Sequence, residues 1–143
     1  MHVFRVCRDI HQTLDGEGSR LFGGRWNSPG KPLIYTSAHL SLCILEQLVH
    51  LDLDLIPTNW VVLTLEIPDA LSGEDLSGHP IKESDARKMG DEWVKAGRTL
   101  YLKAPSFVVH QEHNILINPL HNDMDQVKVE EVIPFQFDQR LLK

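Results

Sequence analysis

The arrangement of strand-like and helix-like segments is the feature that most limits the fold of this chain. Residues 60–67 alternate with a period of two, which predicts a β-strand, and Pro68 ends it. Only two segments have helical spacing, residues 38–51, with Ser37 as the N-cap, and residues 84–96. Further short strands are predicted at residues 3–7, 33–36, 106–109, 114–117, 127–132 and 134–137. Many strands with two helices favour an α+β fold, a compact mixed sheet with flanking helices.

The length of the chain predicts one domain, residues 1–143, because a second core would have too little chain to bury. Hydrophobic residues make up 42% and charged residues 24%, which is typical of a globular domain and argues against disorder. Residues 69–82 are predicted to be a loop, since they contain Gly73, Gly78 and Pro80.

The net charge of −6 argues against direct binding of nucleic acid, because a DNA or RNA binder carries a basic surface. No polybasic cluster for an anionic membrane is present, and no apolar run approaches the ~20 residues that span a bilayer. The first residues lack the pattern of a secretion signal. Cys7 and Cys43 lie in apolar contexts and are predicted to be buried thiols. We therefore expect a cytoplasmic protein.

Five of the nine glycines fall within residues 15–31, which predicts a long, shaped loop. Arg25 lies in this segment, and a guanidinium beside loop amides suits a diphosphate or a carboxylate. The alternative is a surface arginine in an ordinary turn, with Trp26 in the core. A phosphate-binding P-loop is excluded, because no Gly-Lys-Ser/Thr follows the glycines.

Glu46 lies on the apolar side of the first predicted helix, where a buried carboxylate costs several kcal/mol unless it is partnered. Its presence there suggests a partner such as Arg25, or a chemical task; the alternative is an exposed helix edge. Tyr35 alone is typical of a half-buried strand aromatic. Ser106 suits a hydrogen-bond donor and not a nucleophile, because no Gly-x-Ser-x-Gly surrounds it. The histidines form no metal signature, and no metal is predicted.

Eight short motifs follow one another along nearly the whole chain. They are Phe4-Arg5-Val6, Gly23-Gly24-Arg25-Trp26-Asn27, Ile34-Tyr35-Thr36-Ser37, Leu45-Glu46-Gln47-Leu48-Val49-His50, Gly90-Asp91-Glu92-Trp93, Ala104-Pro105-Ser106, Asn114-Ile115-Leu116-Ile117-Asn118-Pro119 and Phe137-Asp138-Gln139-Arg140-Leu141. With these motifs in this order, the chain resembles the RES domain, named for Arg, Glu and Ser. That domain is the toxin half of bacterial RES–Xre toxin–antitoxin pairs.

The resemblance implies a fold like that of the ADP-ribosyltransferase toxins and an activity on NAD. The first expectation is an NAD glycohydrolase, which cleaves the nicotinamide–ribose bond, depletes NAD and arrests growth. The alternatives are a protein ADP-ribosyltransferase and an NAD phosphorylase that use the same site. An alternative of another class is a non-catalytic binding module, in which Arg25 and Glu46 form a buried structural ion pair.

The resemblance also implies roles for individual residues. Glu46 would hydrogen-bond the nicotinamide ribose and stabilise its developing positive charge. Arg25 would hold the diphosphate or the adjacent ribose, and Tyr35 would pack against the nicotinamide or its ribose. Ser106 would hydrogen-bond to the substrate or to Glu46. Further candidates for NAD contacts are Asn27 and Asn118.

The expected partners follow from the same resemblance. A homodimeric toxin would be held inactive by an Xre-family antitoxin, whose helix-turn-helix domain binds DNA. This division of labour agrees with the acidic net charge of the chain. NAD would be the substrate, and neither a metal nor a membrane would take part.

Overall fold

The computed structural model describes residues 1–54 and 56–143, and within them the chain forms three α-helices and one seven-stranded sheet. The strands are β1 (His2–Arg8), β2 (Ile34–Ser37), β3 (Trp60–Glu66), β4 (Gly73–Asp75), β5 (Tyr101–Pro105), β6 (His113–Ile117) and β7 (Lys128–Phe135). The helices are α1 (Glu17–Phe22), α2 (Leu40–Leu48) and α3 (Ala86–Ala96). The strand order is β4-β5-β6-β2-β1-β3-β7, with β4 and β5 parallel and every other described pair antiparallel. The predicted α+β fold is confirmed.

Two helices cover the sheet through apolar side chains. Ile44 of α2 packs with a cluster that contains Val6 of β1. Trp93 of α3 belongs to another cluster with Trp26 and Leu102. Trp26 is thus a core residue, and it anchors the glycine-rich segment beside the sheet. Among the described helices, none has the length and apolar composition needed to cross a bilayer.

Several segments differ from the sequence-based expectations. The strand predicted at 106–109 is instead β5 at Tyr101–Pro105, because the hydroxyl of Ser106 accepts the N–H groups of Val108 and Val109 and turns the chain. Ser37 belongs to β2, and the N-cap position of α2 is His39.

Three further differences concern elements that the sequence pattern hides. The predicted loop 15–31 contains the short helix α1, and the predicted loop 69–82 contains β4, whose three residues are held by pairing with β5. One strand, β7 (Lys128–Phe135), replaces the two strands expected at 127–132 and 134–137, and residues 127, 136 and 137 lie outside it. Pro134 is tolerated there because β7 is an edge strand, with a partner on one side only in the described sheet. Cys7 and Cys43 are buried free thiols, as predicted.

Helix α3 lies unusually close to the glycine-rich segment at Gly90. A Cβ atom added to Gly90 would lie 1.7 Å from the backbone oxygen of Trp26, far inside van der Waals contact. We therefore expect Gly90→Ala to lower the free energy of unfolding by ~1–3 kcal/mol, because the helix must move away from the loop. Chemical denaturation measures this loss.

The matched control for this prediction is Gly18→Ala in α1. A Cβ at Gly18 meets nothing within 4 Å. Alanine is favoured over glycine in a helix by ~1 kcal/mol, so this variant should be as stable as the wild type or slightly more stable. Equal stability of the Gly90→Ala variant and the wild type would contradict the close contact.

Candidate active site

A cavity of about 1030 Å³ lies against β1, β2, α2 and the glycine-rich segment. Arg25, Tyr35 and Glu46 all line it, so the loop, the strand and the helix that carry them converge on one space. The volume is at the upper end of the range for small-molecule sites and suits a ligand as large as a dinucleotide. Ser106 reaches this site through a hydrogen bond to Glu46.

The carboxylate of Glu46 is half-buried and held by two neutral donors. Its Oε1 accepts hydrogen bonds from the hydroxyl of Ser106 at 2.7 Å and from Nδ2 of Asn114 at 2.9 Å. The Ser106 oxygen itself accepts the N–H groups of Val108 and Val109, both at 3.0 Å, so its proton is committed to Glu46. Of the two alternatives that the sequence left open, the structure has the partnered carboxylate, and its partners are Ser106 and Asn114.

Arg25 extends from the glycine-rich segment and pairs with Glu83, not with Glu46. Its Nη1 lies 2.7 Å from Oε1 of Glu83, and the two side chains are 43% and 51% exposed. The suggested ion pair between Arg25 and Glu46 is therefore wrong: the two charges line the same cavity, but each has other partners. An exposed pair of this kind contributes little to stability, which leaves the guanidinium available to an anionic ligand.

Tyr35 and Asn27 hold the glycine-rich segment in place. The Tyr35 hydroxyl donates to Oδ1 of Asn27 at 2.6 Å and accepts the N–H of Trp26 at 2.9 Å. Nδ2 of Asn27, which is fully buried, donates to the carbonyls of Ser19 and Lys31, both at 2.8 Å. Burial raises the pKa of the Tyr35 phenol well above its ordinary value, although the Trp26 N–H opposes this. Tyr35 is therefore a neutral residue that can offer its ring to a ligand.

Asn27 and Asn118 do not reach the cavity as direct contacts. The side-chain amide of Asn27 is already hydrogen-bonded to the carbonyls of Ser19 and Lys31 and to the Tyr35 hydroxyl. Asn118 is buried at the end of β6, where its Oδ1 accepts the N–H of Leu120 at 3.0 Å and stabilises a turn. Asn118 lines a separate, smaller pocket of about 440 Å³, together with Lys31 and Lys95.

Two cavity residues of β1, Arg5 and Arg8, were given no role by the sequence analysis. Both line the cavity, and in the part of the chain that the structure describes their buried Nε atoms have no hydrogen-bond partner. A buried N–H without an acceptor costs roughly 1–3 kcal/mol, more for a charged group. The two arginines also bring positive charge to the wall of the cavity, which favours an anionic ligand there. The sequence signals were the motif Phe4-Arg5-Val6, which was given no chemical role, and a pair of arginines in or directly after a predicted strand.

One cluster of metal-ligand type occurs among the described residues, and it lies outside the cavity. His2, Glu66 and Glu130 bring one ligand atom each to within 4.8 Å of one another. The Nε2 atom of His2 already lies 2.7 Å from Oε2 of Glu130 and 3.0 Å from Oε2 of Glu66, so direct contacts among the three side chains account for the arrangement. The cluster has no connection to the candidate site.

Comparisons with known proteins agree on the family. The RES domain profile matches residues 2–138. The protein Toxin Res of Photorhabdus laumondii is 30% identical, with 100% of this chain and 98% of that protein covered. The Prs ADP-ribosylating toxin of a Sphingobium species is 32% identical, covering 98% and 96%. A chain of the M. tuberculosis MbcT–MbcA toxin–antitoxin complex has a similar fold, with a TM-score of 0.73 at 18% identity, covering 94% of this chain and 83% of that one. The chain belongs to the RES domain family.

Proposed function

We propose that this RES domain protein is the toxin of a toxin–antitoxin pair and that it cleaves the nicotinamide–ribose bond of NAD by hydrolysis. One observation carries the proposal: a fixed carboxylate, Glu46, lies in the wall of one large cavity that three arginines, Arg5, Arg8 and Arg25, also line. NAD offers the matching pair of features, because its diphosphate is anionic and its nicotinamide ribose becomes cationic during cleavage.

The chemistry needs charge stabilisation more than it needs a strong nucleophile. As the C–N bond breaks, its electron pair leaves with nicotinamide, which becomes neutral, and the ribose carbon acquires oxocarbenium character. Glu46 stabilises that positive charge from within the cavity. Water then bonds to the same carbon and loses a proton to solvent, which gives ADP-ribose. The guanidinium groups hold the diphosphate, and the ring of Tyr35 packs against the nicotinamide or its ribose.

A second candidate is transfer of ADP-ribose to a protein, which is favoured by the name of the Sphingobium relative. The same carboxylate and the same leaving group would serve, and only the attacking group would differ. Phosphorolysis is the third form of this reaction, with inorganic phosphate in the place of water. All three forms release nicotinamide, so the identity of the second product separates them.

The antitoxin is proposed to be an Xre-family protein with a helix-turn-helix domain. The similarity in fold to a chain of a toxin–antitoxin complex supports a protein partner. The net charge of −6 supports a division in which the partner, and not this chain, binds DNA. We further propose that the toxin is a homodimer and acts in the cytoplasm, where NAD is abundant.

The experiment that tests the activity is incubation of the purified protein with NAD alone. Free ADP-ribose and nicotinamide in equal amounts are the expected products. Dependence on a protein acceptor would favour the transferase, and ADP-ribose 1″-phosphate formed on addition of phosphate would favour the phosphorylase. The absence of nicotinamide release under all three conditions would overturn the enzymatic proposal and favour a non-catalytic binding module.

A further inference from the structure

A chain of hydrogen bonds leads from β2 to the carboxylate of Glu46. The hydroxyl of Ser37 donates to Oδ1 of Asn114 at 2.6 Å, and Nδ2 of Asn114 donates to Oε1 of Glu46 at 2.9 Å. Ser37 is buried, with 2% of its surface exposed, and both Ser37 and Asn114 line the cavity. Asn114 is half-buried, and the buried Ser37 hydroxyl would cost free energy if its hydrogen bond to Asn114 were not formed.

The strand register explains how these groups meet. Ser37 of β2 is paired with Asn114 of β6, and on the other side of β6 Asn114 is paired with Ala104 of β5. Two residues beyond Ala104, the chain leaves β5 at Ser106. Adjacent strands therefore present the amide of Asn114 and the hydroxyl of Ser106 to the same oxygen of Glu46.

The donor and acceptor groups of Glu46, Asn114 and Ser37 determine the direction of each hydrogen bond between them. An ionised carboxylate only accepts hydrogen bonds, so the NH₂ group of Asn114 must face Glu46. The carbonyl of the Asn114 amide then faces Ser37, whose hydroxyl must donate to it. Rotation of the Asn114 amide would place its oxygen against Oε1 of Glu46 and would break the hydrogen bond that Ser37 donates to Oδ1, so both contacts favour the observed orientation.

Both donors to Glu46 fall on Oε1, and within the described part of the chain no donor reaches Oε2. We infer that Asn114 and Ser37 are positioning residues: Asn114, kept in one orientation by Ser37, fixes the Glu46 carboxylate so that Oε2 faces the substrate. The inference rests on the proposed function. It adds two residues that act through Glu46 and need no contact with NAD.

The test is a double-mutant cycle on NAD turnover. Asn114→Ala is expected to lower kcat roughly 10- to 100-fold with little change in KM, because a misplaced carboxylate affects the transition state more than binding. Ser37→Ala should lower kcat by a smaller factor, and Ser37→Thr, which keeps the hydroxyl, should recover most of that loss. In the Asn114→Ala background, Ser37→Ala should have no further effect, because the two residues act as a unit. Asn122→Ala, on an exposed residue of the other pocket, is the matched control.

Two kinetic results would overturn the inference. A wild-type kcat in the Asn114→Ala variant, or independent multiplicative effects of the two alanine substitutions, would contradict it. If the wild-type protein itself releases no nicotinamide, the proposed function fails, and a crystal structure of the Asn114→Ala variant then tests the positioning. The carboxylate of Glu46 should rotate away from its wild-type position, and an unchanged carboxylate would overturn the inference. Thermal melts identify a variant that fails to fold, in which case the Ser37→Ala and Ser37→Thr pair carries the test.

Discussion

Replacing Glu46 with glutamine is expected to lower nicotinamide release from NAD by about 1,000-fold while the protein stays folded. Glutamine has nearly the same shape and keeps a carbonyl that can accept the hydrogen bonds of Ser106 and Asn114. The negative charge is lost, and with it the stabilisation of the developing oxocarbenium ion. The measurement is the rate of nicotinamide release by the Glu46→Gln variant, with a thermal melt to confirm the fold.

The matched control is Glu92→Gln, which makes the same chemical change at an exposed position of α3 away from the cavity. It should leave both the rate and the melting temperature unchanged. Induction of the two variants in bacteria extends the comparison, since only Glu92→Gln should deplete cellular NAD as the wild type does. A rate for Glu46→Gln within a few fold of the wild type would show that the carboxylate has no electrostatic part in the reaction.

The second large effect is expected on binding and comes from the arginines of β1. Arg5→Gln should raise the dissociation constant for NAD roughly 10- to 100-fold, equivalent to ~1.5–3 kcal/mol for a hydrogen bond to a charged group. The reason is that Arg5 lines the cavity and, in the described part of the structure, its side chain has no hydrogen-bonded or ion-paired partner, so its positive charge is available to the diphosphate. Titration in the Glu46→Gln background measures affinity without turnover.

Arg25→Ala should also weaken NAD binding, but by less than tenfold, because the Arg25 side chain is 43% exposed and already paired with Glu83. Arg98→Ala is the control, since Arg98 pairs with Glu74 on the exposed surface and does not line the cavity. If Arg5→Gln bound NAD with unchanged affinity and Arg25→Ala bound it much more weakly, the main diphosphate contact would be Arg25 of the glycine-rich segment and not Arg5.

The sequence predicted those parts of the site that have a recognisable pattern within a short stretch of residues. Glu46 was marked by its position on an apolar helix, and the glycine-rich segment by its composition. The contact between Ser106 and Glu46, one of two options left open, joins residues 60 positions apart. The resemblance to the RES domain suggested that contact, and periodicity alone would not have.

The features that were missed depend on pairing between distant segments. Ser106 was assigned to a strand, whereas its hydroxyl bonds two following N–H groups and ends β5. Arg5 and Arg8 look like ordinary strand residues until the sheet places β1 against the cavity. Arg25 was suggested as one option for a partner of Glu46. Its actual partner, Glu83, lies 58 positions along the chain in a short 3-10 helix before α3. Register and side-chain direction decide such contacts, and no local pattern encodes them.

A crystal structure of the Glu46→Gln variant with NAD would show where the substrate binds. The nicotinamide ribose is expected to lie beside the side chain at position 46, with the diphosphate against Arg5, Arg8 or Arg25. NAD bound outside this cavity, or bound within it with its nicotinamide ribose far from position 46, would rule out the proposed active site.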